Sequence, residues 1–170
     1  MKNLLKKFPN IQITYGEDGT GNLYNSVNLK YCIEKYKNSM EIVTADGGFD
    51  FSNNFDKQES SAFRLILTQV IYALCLQKHN GHFILKMFDL FTENSVEVVY
   101  ILSCFYKKVF ISKPNTSRRA NSEKYIVCKH FKLINSNHII NKLIEILSEL
   151  ENVDFNSKKI VKILNFPIQS

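Results

Sequence analysis

MEIVTADGG, Met40 to Gly48, decides how the rest of the chain is read. A short apolar run rich in β-branched residues stops abruptly at Asp46-Gly47-Gly48, the pattern of a buried parallel strand whose carboxyl end opens into a tight loop. Downstream, from about Gln58 to Lys78, apolar residues recur at Phe63, Ile66, Leu67, Val70, Ile71 and Leu74. That spacing is one face of a helix, and Asn80-Gly81 closes it. His82 to Phe88 then resumes as a strand. Strand, helix and strand in this order make a parallel βαβ unit.

The same reading extends toward the carboxyl end. Thr92 caps a helix with Glu93 in its first turn, and Val96, Val99, Tyr100 and Ser103 share one stripe through to about Phe105. Lys107 to Ser112 is a further strand, ended by Pro114, and Lys124 to Phe131 is the last of the sheet. The segment between them holds no helix and can only reverse the chain, so the final strand runs antiparallel. Ser136 caps an amphipathic helix with Ile139, Ile140, Leu143, Ile146, Leu147 and Leu150 on one face. The fold class is therefore α/β: a mostly parallel sheet with an antiparallel last strand, helices on both faces and a C-terminal helix.

At 170 residues the chain can bury a core as one domain, and a 45% hydrophobic fraction places it among globular proteins. A formal net charge of +6 suits a polyanionic partner. Cys32, Cys75, Cys104 and Cys128 lie singly and read as buried thiols, and the four histidines are scattered, so no metal site is expected. The basic start lacks the apolar core of a signal peptide, and no apolar run is long enough to span a bilayer. The expected location is a reducing compartment, cytosol or nucleus. Richness in lysine, asparagine and isoleucine hints at an AT-biased genome and so at a virus, with the virion or viral factory as the corresponding place.

Three residues far apart in sequence are brought to one rim by this topology. Asp46 ends a parallel strand, Lys86 lies toward the carboxyl end of another, and Glu123 precedes the antiparallel strand, which starts from that same rim. Ligands of open α/β sheets bind at the carboxyl ends of the strands. A lysine ionises at about pH 10.4 in water, and burial or a cationic neighbour can bring it to about 7 to 8, where it serves as a base. Two carboxylates work in the opposite direction, so their better role is orientation. Each residue also has an ordinary structural reading. Asp46 would be a turn residue, Lys86 half of an ion pair with Asp89 or Glu123, and Glu123 a solvated loop acid. Tyr125 is open to both a core and a substrate-side reading.

The segments ADGG at Ala45 to Gly48, GHFILKMFDLFT at Gly81 to Thr92 and KPNTSRRANSEKYIVCK at Lys113 to Lys129 carry a family resemblance. From about Thr14 to Lys132 the chain resembles the catalytic half of the FtsJ-like ribose 2′-O-methyltransferases. The likeness is greatest to the eukaryotic and viral enzymes that methylate the first transcribed nucleotide of capped mRNA. It implies a partial Rossmann-like methyltransferase sheet over residues 1–133, with a helical extension over 134–170. It implies S-adenosylmethionine as cofactor and capped mRNA as substrate. Of the family's Lys-Asp-Lys-Glu tetrad, Asp46, Lys86 and Glu123 match the last three members. The first lysine and the glycine-rich cofactor loop have no match, since the glycines of YGEDGTGN at Tyr15 to Asn22 precede no immediate helix. The resemblance places Asn22, Asp46 and Gly47 near the cofactor and Lys113, Arg118 and Arg119 near RNA. A second reading is kept: a catalytically inactive or incomplete module that binds RNA or a partner chain supplying the N-terminal half.

Overall fold

The computed structural model describes residues 6–48, 58–115, 117, 121–152, 163–165 and 168. In chain order the elements are α1 (Ser26–Tyr36), β1 (Met40–Ala45), α2 (Gln58–Leu76), β2 (Gln77–Met87), α3 (Glu93–Phe105), β3 (Tyr106–Ser112), β4 (Lys124–Phe131) and α4 (Asn137–Asn152). The four strands form one sheet in the order β1-β2-β4-β3. β1 and β2 are parallel, while β4 is antiparallel to both β2 and β3. The last strand thus inserts between its predecessors, leaving β1, β2 and β3 running the same way.

The α/β sheet and its antiparallel final strand agree with the sequence reading, and among the described residues the two helices with sheet contacts, α2 and α3, share one face. α2 packs on β1 and β2, α3 packs on β3 and β4, and α2 and α3 touch each other. The reason is topological. Parallel crossovers are right-handed, and β1-α2-β2 and β2-α3-β3 advance in the same direction across the sheet, so both helices land on the same side. α1 and α4 pack on each other and on α2. The opposite face carries Thr44, Ile84, Val127 and Phe110 in one cross-strand row. Nearby Ile42 is 60% exposed and Phe110 is 49% exposed.

Alternation along β2 fixes the two sides of the sheet. Phe83, Leu85 and Met87 are fully buried under the helices, and Ile84 and Lys86 point the other way. The expected helical stripe of α2, Phe63 through Leu74, is buried as a unit. In α3 the core-facing residues are instead Ser95, Val98 and Leu102, whereas Val96 is exposed. This helix is apolar around most of its circumference, so spacing alone leaves its inward side undetermined. Ser136 stands where a cap was expected, and its carbonyl accepts from Ile139 and Ile140. Its hydroxyl turns away to Asn38 and to the Cys75 carbonyl, tying α4 to α2. Cys104 is exposed, unlike the other three thiols, because it lies on the outer side of the last turn of α3.

Helix α2 stops earlier than Asn80-Gly81 suggested, at Leu76, and β2 starts directly at Gln77. The two residues mark an irregularity within the strand. Register passes from Met40↔Gln77 to Ile42↔His82, leaving extra residues on β2. Asn80 takes φ 63° there, a left-handed conformation that asparagine tolerates. A Cβ on Gly81 would stand 2.9 Å from the Glu41 carbonyl oxygen, so only glycine lets β1 approach. Buried Gln77 fastens this irregularity by donating to the His82 carbonyl while accepting from the Tyr106 phenol.

Candidate active site

The carboxyl rim of the sheet is built strand by strand. Ala45 pairs with Leu85, which brings the next residues, Asp46 and Lys86, side by side at the ends of β1 and β2. Lys86 pairs across β4 with Tyr125, and Tyr125 pairs with Ser112 on β3. Lys86 Nζ lies 2.8 Å from Asp46 Oδ1 and donates to the Asp46 carbonyl at 3.2 Å. The lysine side chain is 16% exposed and the aspartate 68%, so the ammonium is sheltered while the carboxylate faces outward. A Cβ at Gly48 would be 3.2 Å from Lys86 Nζ, so this glycine leaves room for the ammonium. The third expected residue joins through a neighbour: Tyr125 Oη donates to Glu123 Oε1 at 2.5 Å.

Tyr125 therefore holds the acid of the loop from a strand position directly opposite Lys86. That hydrogen bond, reinforced by burial and by the negative charges of Asp46 and Glu123, pushes its phenol up to about 12. It stays protonated and remains a donor at neutral pH. The two alternative partners of Lys86 are engaged elsewhere: Asp89 binds Lys124 at 2.7 Å and Glu123 accepts from Tyr125.

The remaining expected residues stand as follows. Asn22 lies in a turn before α1, its side-chain oxygen accepting from the Tyr24 amide and its carbonyl from Asn28. The amide of Gly47 donates to buried Gln69 Oε1 at 2.9 Å. Lys113 Nζ reaches the Asn121 carbonyl at 2.6 Å, Asn121 Oδ1 at 3.1 Å and the Glu123 carbonyl at 3.1 Å. All three of its donors are thus directed into its own loop. Arg118 and Arg119 lie outside the described residues. Asn121 received no role from sequence, since nothing in its type or spacing announces a contact within a loop.

Helix α1 was also not anticipated, and it follows the YGEDGTGN turn closely. Gly16, Gly19 and Gly21 adopt φ values of 78°, 72° and 70°. The carboxylate of Asp18 organises this turn, accepting from Thr20 N at 2.9 Å, Thr20 Oγ1 at 2.7 Å, Asn25 Nδ2 at 2.7 Å and Asn28 Nδ2 at 2.9 Å. Among the described residues no group of three or more histidine, cysteine, aspartate or glutamate side chains is arranged to hold a metal ion. No described helix is long and apolar enough to cross a membrane.

A mixed four-stranded sheet packed by α2 and α3, with an acid and a lysine meeting where parallel strands end, defines a Rossmann-like α/β domain. More narrowly, the chain belongs to the FtsJ-like methyltransferase family, whose model matches residues 4–131. It is 37% identical over 121 residues to a Drosophila melanogaster protein named cap-specific mRNA (nucleoside-2′-O-)-methyltransferase 2, covering 69% of this chain and 17% of that one. It is 39% identical over 127 residues to the Homo sapiens protein named cap-specific mRNA (nucleoside-2′-O-)-methyltransferase 1, covering 70% and 15%. The chain therefore spans only a small part of the length of these curated relatives. A crystal structure of a Plasmodium falciparum chain described as a ribosomal RNA methyltransferase shares the fold. The TM-score is 0.50 with 22% identity, covering 71% of this chain and 62% of that one.

Proposed function

We propose that this chain carries the catalytic residues for S-adenosylmethionine-dependent methylation of a ribose 2′-hydroxyl on the first transcribed nucleotide of capped mRNA. The observation that carries the reading is the contact of Lys86 with Asp46 at 2.8 Å on the rim of the sheet, beside the Tyr125–Glu123 pair. Once its ammonium has given up a proton to solvent, the neutral Lys86 amine takes the hydroxyl proton as the oxygen bonds to the donor's methyl carbon and the carbon–sulfur bond breaks. Asp46 and Glu123 fix the direction of the amine.

The family's cofactor fits the described residues at one end only. The exposed carboxylate of Asp46 suits a sulfonium, whereas the Gly47 amide and the Asn22 side-chain oxygen are already engaged within the protein. When bound, the donor supplies an electrophilic methyl group. Those engaged groups also favour the second reading, a module that needs another polypeptide segment to hold the cofactor.

Two measurements on the intact protein separate the readings. Lys86→Ala should lower methyl transfer to capped RNA by at least about a hundredfold, as loss of a general base does. Melting should change little, because an ion pair whose carboxylate faces solvent contributes about 0–1 kcal/mol. Unchanged turnover removes Lys86 from the mechanism. Titration calorimetry with S-adenosylmethionine tests the module reading, which binding by this chain alone would contradict.

A further inference from the structure

We propose that Tyr125, with Lys113 and Asn121 behind it, is a positioning device that fixes the Glu123 carboxylate at the rim that carries Lys86. The inference rests on the methyl-transfer reading of the rim and adds to it residues that take no part in the bond changes.

Glu123 does not belong to a strand; it is the last residue before β4, at the end of the 113–123 loop. An acid in that place would ordinarily sample several rotamers in water. Here both carboxylate oxygens have donors: Tyr125 Oη on Oε1 at 2.5 Å and Asn121 Nδ2 on Oε2 at 3.3 Å. Two donors on one carboxylate fix its plane as well as its position. The stronger of them stands on β4 directly opposite Lys86. The strand ladder that sets the lysine therefore also sets the phenol that fixes Glu123.

Asn121 is itself fixed. Its Oδ1 accepts from the Glu123 amide at 3.0 Å, from Ser117 Oγ at 3.3 Å and from Lys113 Nζ at 3.1 Å. The same ammonium bonds the carbonyls on both sides of Ser122. Lys113 thus acts as a cationic staple for the turn leading into Glu123. Phosphate is not the partner these contacts describe.

Tyr125 is a poor candidate for a proton acceptor, since its phenol keeps its proton across the physiological range. Its effect must pass through Glu123, and that makes the role measurable. Tyr125→Phe removes one hydroxyl and keeps the ring. It should lower kcat about tenfold, the equivalent of one lost hydrogen bond to a charged group, with KM for capped RNA unchanged. In a Glu123→Gln background the same change should cost nothing further, because the two residues act as a unit. A merely structural tyrosine would give additive losses.

An arm that needs no turnover accompanies these assays: hydrogen exchange at the amides of Asn121 and Glu123. It should accelerate in Tyr125→Phe and in Lys113→Met while the core strands keep their protection. Full kcat in Tyr125→Phe, or a loss that adds in full to that of Glu123→Gln, overturns the positioning role. Absence of turnover in the unaltered protein would sink the methyl-transfer reading instead. The exchange arm then decides the clamp alone, and unaltered exchange in both variants overturns it.

Discussion

Replacing Gly47 by alanine should destabilise the protein by about 2 kcal/mol, and the reason is space rather than backbone conformation. Its φ lies outside the left-handed region, but an added Cβ would stand 2.7 Å from Gln69 Oε1 and 3.0 Å from Leu65 Cδ2. Gln69 cannot swing away cheaply. It is 6% exposed, its Oε1 accepts the Gly47 amide at 2.9 Å, and its Nε2 donates to the Leu65 carbonyl at 3.1 Å. Crowding of this kind costs about 1–3 kcal/mol, and breaking the hydrogen bond adds about 1 kcal/mol. Against this, alanine restricts the unfolded chain and recovers about 0.4–1 kcal/mol. The balance, about 2 kcal/mol, corresponds to a fall in Tm of about 4–8 °C for a domain of this size. Circular dichroism melts of four proteins measure it: the parent, Gly47→Ala, Gln69→Ala and the double variant. With Gln69 shortened its obstruction disappears and only Leu65 Cδ2 at 3.0 Å remains, so alanine at 47 should cost clearly less there. Equal losses in both backgrounds would refute the steric argument. A Gly47→Ala protein that melts like its parent but fails to bind S-adenosylmethionine would show that the glycine serves the cofactor instead.

Two other tests address the turn and the core. Hydrogen bonds from the Thr20 amide and hydroxyl, then from Asn28 and Asn25, hold the Asp18 carboxyl at about 2, below its ordinary value. A depressed acid stabilises above its unfolded pKa, so order in the Tyr15–Asn25 turn should persist at neutral pH and be lost as pH falls between about 4 and 2. Amide exchange in that turn reports it, and Asp18→Asn should erase the dependence; an unchanged acid profile in the variant would contradict the assignment. In the core, Tyr106→Phe leaves the buried Gln77 Oε1 without its donor and should cost about 2 kcal/mol. Urea unfolding with an unaltered midpoint would refute it.

The sheet was legible wherever one physical signal dominated. His82 to Phe88 reads as a strand after the helix, and the structure places it in β2 with Phe83, Leu85 and Met87 buried on one side. The run ending at Asp46 and the helix-free segment before Lys124 likewise placed three residues on one rim. Local signals failed where a distant element decided the outcome. Asn80-Gly81 looks like a helix stop, but its purpose is set by the approach of Glu41 from β1. Helix α1 escaped notice because only Asn28, Leu29 and Cys32 of its length are buried, too few to draw a stripe. The resemblance places Lys113 near RNA, and no pattern of residue types reveals that its ammonium also bonds two carbonyls and an amide oxygen of its own loop.

Lys86 stands between Leu85 and Met87, neither of which has measurable contact with solvent. Adjacent side chains of a strand point to opposite sides, so sliding β2 by one residue along β4 would drive the ammonium under the helices and thrust both apolar neighbours into water. An unpaired interior cation is intolerable to a domain held together by only about 5–15 kcal/mol. Misthreaded molecules are thus eliminated by the very side chain proposed as the base. Specific activity would then double as a quality control on refolded preparations, distinguishing correctly threaded protein from material with the same helix content.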